Sequence, residues 1–529
     1  MTKRTCFRTL PCLLGALLLL PLGASAAGAS DSTWPAMYFH SQVQDAQECA
    51  MTVAGDGPIV FDDAVSNPAA TCADAFGWKQ MLEAIGANFW TEWANDETLW
   101  VKTPKPVCAT DADNDCCFVA PDATPQVGYR DVSGRIVAPT DVGGPGAQCP
   151  YIPGDWGGAE ETVFAGGKTV TSHNTTFLRK RDPARIARQR EVEVVYRNDA
   201  FVRYTTAAEL YSKAGLAKLF ARVAGEAANS VPYRPTGQGA SYPSDAVMFK
   251  VDWIPEATMV ELGYVHDHDD DAKTPPQNPD APYVTMRIKA SDDGGKTFVQ
   301  GLYYLAAITG ASKALPNWHW YAFEHVANLG RCDYTGCNDS YGFSTDVVTT
   351  DPLDPEHEIS FASNFITPHT KDDQLEDETQ LFDTGKPYPS GRMSDGLAAL
   401  FTNTGIGAGG GTVDPDMPST ADPAWRSYRL KGTQTQYYNR DGYPTIVGAS
   451  ITEGGFVNTA SCMSCHVQAS VNAEGGLGVP GVGATGRLGE SGIGTVVSGH
   501  PEVGDYYSRG TTIQNAVQVD FVWGTLFAE

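Results

Sequence analysis

At 529 residues the chain exceeds what one hydrophobic core normally serves, so two or three structural units are expected. A formal net charge of −26 excludes a protein built around nucleic-acid phosphates, which need a basic footprint, and suits solubility and basic redox partners. The 55 glycines and 34 prolines exclude a simple helical bundle and favour a loop-rich α+β chain, large, β-rich and in several parts.

The N-terminus carries Lys3 and Arg4, an apolar run from Leu13 to Leu22, and then Gly23, Ala24, Ser25 and Ala26. A basic start, a short apolar stretch and an A-x-A site make a secretory signal over 1–26, and the apolar run is too short for a comfortable membrane anchor. With no other run of membrane length, a protein without a membrane span after signal cleavage, periplasmic or secreted, is expected. Cysteine usage agrees. Cys6 and Cys12 leave with the signal, and Cys49, Cys72, Cys108, Cys116, Cys117, Cys149, Cys332 and Cys337 form an even set that suggests up to four disulfides in an oxidising compartment. Spacing alone does not give their connectivity.

Region 27–235 is Cys-rich and poor in periodic pattern. A helix is expected over Trp78–Trp93, where Met81, Leu82, Ile85, Phe89 and Trp90 recur at helical spacing. Asp111, Asp113 and Asp115 alternate like the opening of a calcium loop, but Cys116 stands where such a loop needs glycine and Asp122 where it needs glutamate, so a solvated turn is favoured. An extended stretch with Val192, Val194 and Tyr196 leads to a packing helix over Ala207–Ala228.

Region 236–350 reads as a β-rich core. Ala246–Trp253 and Tyr283–Lys289 alternate like strands, and Ser291–Phe298 fits an S-x-D-x-G-x-T-F hairpin entering a further strand, Phe298–Ile308. His266 to Asp271 is an acidic loop in which solvation is favoured over a metal. The stretch Asn317–Asn328 reads as a helix, with Trp318, Tyr321 and His325 on one face and Trp320, Glu324 and Asn328 on another. It is either an aromatic packing helix or one wall of a cofactor pocket.

Region 351–529 contains an acidic segment (Lys371–Asp383), a glycine run (Gly405–Gly411), an extended stretch at Tyr428–Gln434 and a final apolar strand, Val517–Phe527. Within it, Cys462, Cys465 and His466 form Cys-x-x-Cys-His, the attachment signature for one covalent haem c. The two thiols reach one porphyrin edge from a single helical turn, and His466 becomes the proximal iron ligand. A disulfide or thioredoxin-like pair is the competing reading of the same spacing.

Two segments together resemble a group of bacterial exported mono-haem proteins called cytochrome c family proteins. Gly301–Asn328 is similar to G-L-H-I-x-x-K-T followed by W-x-W-x-T-F-E-H-x-x-N, matched at Trp318, Trp320, Phe323, Glu324, His325 and Asn328. Tyr428–His466 is similar to L-x-G-T-Q, G-x-P, an acidic residue and S-C-x-x-C-H, matched at Gly432, Gln434, Glu453, Cys462, Cys465 and His466. The departures are Tyr321 and Ala322 in the first motif and Tyr303 and Tyr304 in its preceding strand.

The sixth iron position decides between functions. No methionine follows His466, and the nearest upstream of the Cys-x-x-Cys-His motif are Met393 and Met417. His325 leads as distal ligand, ahead of His500 and His319, and would make the chain an electron carrier with an unidentified redox partner. Left open, the position would suit peroxidase-like chemistry on a small-molecule substrate, with Glu324 and His325 as acid and base and Arg331 as cation. A non-enzymatic haem-bearing binding or sensing protein is the third reading.

Overall fold

The computed structural model describes residues 45–100 (46 and 56 excepted), 104, 105, 108, 112–119, 127–130, 132–137, 163–164, 187, 190–229, 239–266, 275–290, 299–328, 331, 337–338, 347–351, 354–361, 365–366, 393–409, 414–438, 445–453, 460–478, 506 and 514–528. Among them, helices and antiparallel sheets are both present, as the α+β expectation requires. Six strands matter most: β1 (Val192–Arg197), β2 (Val247–Pro255), β3 (Thr285–Ala290), β4 (Val299–Ser312), β5 (His319–His325) and β6 (Tyr428–Gln434). They belong to one nine-stranded sheet in which β6, β5, β4, β2 and β1 lie side by side. Sequence regions far apart therefore share one set of hydrogen bonds. Ser291–Phe298, between β3 and β4, and Lys371–Asp383 lie outside the described residues.

Period-two alternation gives this sheet two committed faces. On one, Val192, Val194, Tyr196, Phe249, Val251, Trp253, Ile308, Tyr321 and Phe323 form a cluster with Trp78, Met81, Leu82 and Ile85 of helix α1 (Ala73–Gly86). Gly310 has no side chain because the Tyr321 ring lies across it; a Cβ there would stand 2.0 Å from that ring. On the other face, Met248, Ala307, Ala311, Trp320 and Ala322 meet helices α2 (Asp199–Ala207) and α3 (Lys213–Asn229) and the Cys462–His466 segment.

The stretch read as a helix over Asn317–Asn328 is strand β5. It pairs with β4 from Ala307↔Glu324 to Ser312↔His319, and with β6 from Trp320↔Gln434 to His325↔Tyr428. The helical reading fails because every residue of β5 is buried. A strand covered on both sides has no polar face, so the period-two signal disappears. Trp320 and Glu324 still share a face, and so do Tyr321 and His325, but the two pairs point to opposite sides.

Three smaller expectations change as well. The helix at Trp78–Trp93 is two, Ala73–Gly86 and Phe89–Glu92, divided where Asn88 turns left-handed at φ 50°. Ala207–Ala228 likewise divides at Glu209, φ 56°. The final strand is confined to Val517–Gln518, paired with Ser470–Val471, and Trp523–Phe527 is a 3-10 turn.

The disulfides Cys49–Cys72 and Cys108–Cys116 are formed, and Cys117 is also disulfide-bonded. Cys149 and Cys332 lie outside the described residues. No helix among the described residues is long and apolar enough to cross a membrane.

Phe249 carries much of the first face, with ring centroids 5.3 Å from Phe89, 5.3 Å from Trp93 and 6.0 Å from Tyr321. Phe249→Ala is expected to lower stability by about 3–5 kcal/mol, the usual range for emptying an aromatic core site, measured by chemical denaturation.

Candidate functional site

Cys462–His466 forms a short helix, α4, capped by Ser461, whose hydroxyl oxygen accepts the Ser464 N–H at 3.1 Å. Gln434, on β6, ties this turn to the sheet. Its amide donates to Ser461 Oγ at 2.8 Å and to Thr445 Oγ1 at 2.9 Å, while its carbonyl accepts the Met463 N–H at 3.0 Å. The indole of Trp523 donates to the Cys465 carbonyl at 3.2 Å. The motif is thus fastened both to the sheet and to the C-terminal segment.

Cys462 is buried, Cys465 is half-buried, and neither thiol is in a disulfide. Burial pushes the Cys462 thiol well above its usual range, assisted by the nearby charge of Glu453. His466 is half-buried, with its ring 4.5 Å from that of Trp320. Its Nδ1 lies 2.8 Å from the Phe521 carbonyl. A carbonyl only accepts, so Nδ1 carries the proton and Nε2 keeps its lone pair. Burial pushes His466 down to about 4; the Phe521 hydrogen bond opposes this and Lys250 assists it. A neutral imidazole with Nδ1–H held by a backbone carbonyl is the donor set that a haem iron requires. Cys462, Cys465 and His466 therefore fit a c-type haem.

The other residues expected at the site are distributed differently. His325 sits on the α1 side of β5, stacked on Tyr283 at 3.4 Å. Its Nε2 is 3.1 Å from the Pro282 carbonyl and its Nδ1 accepts the Ala327 N–H at 3.1 Å. Both ring nitrogens are engaged, which leaves no lone pair for iron. His319 occupies the same side, with Nε2 3.0 Å from the Ala73 carbonyl. Met393 and Met417 pack against that same α1-side cluster. His500 lies outside the described residues.

Glu324 does face the motif side, but as a structural anchor. One carboxylate oxygen accepts the Ser450 N–H at 2.9 Å and the Ser450 hydroxyl at 2.6 Å. The other lies 3.1 Å from Lys431 Nζ, a buried ion pair. Glu324 and His325 are therefore separated by the plane of the strand and do not form one acid–base pair. Arg331 is buried and donates from Nε to the Val326 carbonyl at 3.2 Å. Asp115 pairs with Lys105 at 2.8 Å; Asp111 and Asp122, like Asp267 to Asp271, lie outside the described residues.

Residues not singled out by the sequence also reach the motif side. Lys250 pairs with Glu193 at 2.7 Å, and Glu191, Glu193 and Asp252 bring carboxylate oxygens within 4.8 Å of one another. Asp252 accepts a hydrogen bond from the Thr452 hydroxyl. Burial alone would push Lys250 down; Glu193, Glu453 and Asp252 reverse this and raise it. Met248 is the thioether that β2 turns toward this layer. Alternation about Val192, Val194, Phe249 and Val251 was the available signal, since it places Glu193, Lys250 and Asp252 on a covered face.

Comparison with family models, curated proteins and solved structures found no match.

Two outcomes are expected from this geometry. Gln434→Ala takes the acceptor from the buried Met463 N–H and should cost about 1–3 kcal/mol in denaturation. Separately, burial pushes His319 down to about 4 and His325 to about 3. Below about pH 6.5 the unfolded chain takes up protons that these folded rings refuse, so stability present above pH 6.5 is lost as pH falls through the folded values. Between pH 7 and pH 5 each ring should account for about 2 kcal/mol of lost stability. His319→Gln should flatten that slope in pH-dependent denaturation.

Proposed function

We propose that this chain is an exported, periplasmic or secreted c-type mono-haem redox protein, with Cys462 and Cys465 as thioether attachments and His466 as proximal ligand. The observation that carries the reading is the 2.8 Å contact of His466 Nδ1 with the Phe521 carbonyl, which presents Nε2 unprotonated beside two thiols outside any disulfide. The disulfides Cys49–Cys72 and Cys108–Cys116 support an oxidising compartment. The resemblance to exported cytochrome c family proteins points the same way. When bound, the haem supplies a one-electron iron couple and, where its sixth position is open, a site for a small ligand.

The chain's own residues divide the work. Gln434 and Trp523 orient the motif helix, Trp320 braces the imidazole, and Phe521 fixes its tautomer. Electron transfer to an unidentified partner is the first reading. Haem-dependent oxidoreduction of a small molecule is the second, favoured by one observation: His319, His325, Met393 and Met417 all sit on the α1 side of the sheet. Met248 remains as a thioether on the motif side, and its substitution separates the two readings.

Expression with a c-type haem maturation system should yield haem that survives a denaturing gel, and Cys462→Ala with Cys465→Ala should abolish it. Wild-type protein without covalent haem would sink the proposal. A high-spin ferric spectrum favours the open site; a low-spin spectrum lost in Met248→Ala favours the carrier.

A further inference from the structure

The hydrogen bond that fixes His466 comes from an unusual piece of backbone. Asp520 and Phe521 are consecutive non-glycine residues in the left-handed region, at φ 51° and 68°. For L residues this conformation is disfavoured and persists only where surrounding interactions impose it. The imposing group is the Asp520 side chain. Its Oδ2 accepts the Tyr242 N–H at 2.6 Å; its Oδ1 lies 2.5 Å from Lys313 Nζ and accepts the Trp318 indole N–H at 3.3 Å. Asp520 is wholly buried and Lys313 nearly so. Trp318 is itself left-handed, at φ 63°, and the Lys313 ammonium lies 5.6 Å from its ring.

This carboxylate fastens the C-terminal loop to three points outside it. Tyr242 lies just before β2, Lys313 follows β4, and Trp318 precedes β5. Lys313 is held in turn, since its Nζ also donates to the Pro316 carbonyl at 2.7 Å. The adjoining residue, Phe521, then presents its carbonyl to His466 Nδ1. Asp520 touches neither the imidazole nor the thiols. Its influence passes through one peptide unit.

We propose that Asp520, with Lys313 and Trp318, is a positioning network that sets the strength of the Phe521–His466 hydrogen bond and thereby the reduction potential of the haem. The inference rests on the haem reading above. A strong bond from Nδ1–H to a carbonyl raises the basicity of the ligating nitrogen and favours oxidised iron. Loosening the loop weakens that bond and raises the potential.

The test uses the full-length, haem-loaded protein and reads midpoint potential, with a pyridine haemochrome assay for haem content. Asp520→Asn should shift the reduction equilibrium at least threefold toward the reduced form. Lost negative charge alone would do the same, so Lys313→Met is the decisive variant. Removing a positive charge would by itself lower the potential, whereas release of the loop raises it. Trp318→Phe, which changes no charge and keeps the Asp520–Lys313 pair for folding, should raise it by a smaller amount. Phe249→Ala, across the sheet, should lose stability without moving the potential.

The inference is overturned if haem is present and Lys313→Met lowers the potential, if Trp318→Phe matches wild type, or if Phe249→Ala shifts it equally. Absence of haem from the wild type removes the haem reading itself, and this inference with it.

Discussion

Strand β5 is buried on both faces, so every side chain along it is committed to one of two layers. Trp320, Ala322 and Glu324 belong to the layer holding Cys462–His466, and His319, Tyr321, Phe323 and His325 to the layer holding α1. Adjacent residues are therefore separated by the thickness of the sheet, and closeness in sequence is no guide to shared chemistry. This alternation parts Glu324 from His325 and puts Trp320 against His466. A one-residue slip of register would exchange the two layers, burying Glu324 among aromatic rings with no partner for its charge. The dense pairing of β5 with β4 and β6 prevents that slip.

The motif side depends on parts of the chain that arrive at different times. Gln434 reaches α4 from β6, Ser450 reaches Glu324 from the connecting segment, and Phe521 and Trp523 reach His466 and Cys465 from the C-terminal end. A Cys-x-x-Cys-His turn alone binds through its own three side chains, but here the tautomer of the histidine is fixed by residues 55 positions later. Loss of the terminal segment would leave the imidazole free to choose either tautomer, whatever became of the sheet. The site is therefore a product of completed folding rather than a local motif with a scaffold attached.

What could be read in advance follows from the range of the interactions. Cys462, Cys465 and His466 lie within one helical turn, so their relationship is written in adjacent letters. The strands of 246–253 and 283–289 were legible because their alternation, Val247, Phe249, Val251 against Met248, Lys250, Asp252, survives on a face that carries charge. β5 was misread because both its faces are covered and its aromatics fit helical spacing as well as strand spacing. Gln434 was marked only by the L-x-G-T-Q resemblance, with no hint of what it holds, and Asp520 and Lys313 gave no signal at all. Their decisive partners are distant, Ser461 at 27 residues from Gln434, Asp520 at 207 from Lys313 and Tyr242 at 278 from Asp520, and each looks like an ordinary polar residue until the sheet brings those partners together.

The two faces of the sheet also differ in what they hold. The α1 side is largely apolar and aromatic. The motif side takes Glu193, Lys250, Asp252, Glu324, Lys431, Lys313 and Asp520 out of bulk water to different degrees. Replacing such pairs by apolar groups is often neutral or stabilising, so packing alone does not account for their concentration on one face. Charges fixed in a poorly screened layer act over longer distances than they do in water, and a redox centre in that layer would feel each of them. His466 already does: burial pushes its imidazole down most, Lys250 adds to that and Glu193 opposes it. A face that costs stability in this way makes physical sense where an electron, a proton or a small ligand must find a defined potential, and the residues that define it are those whose partners are drawn in from distant parts of the chain.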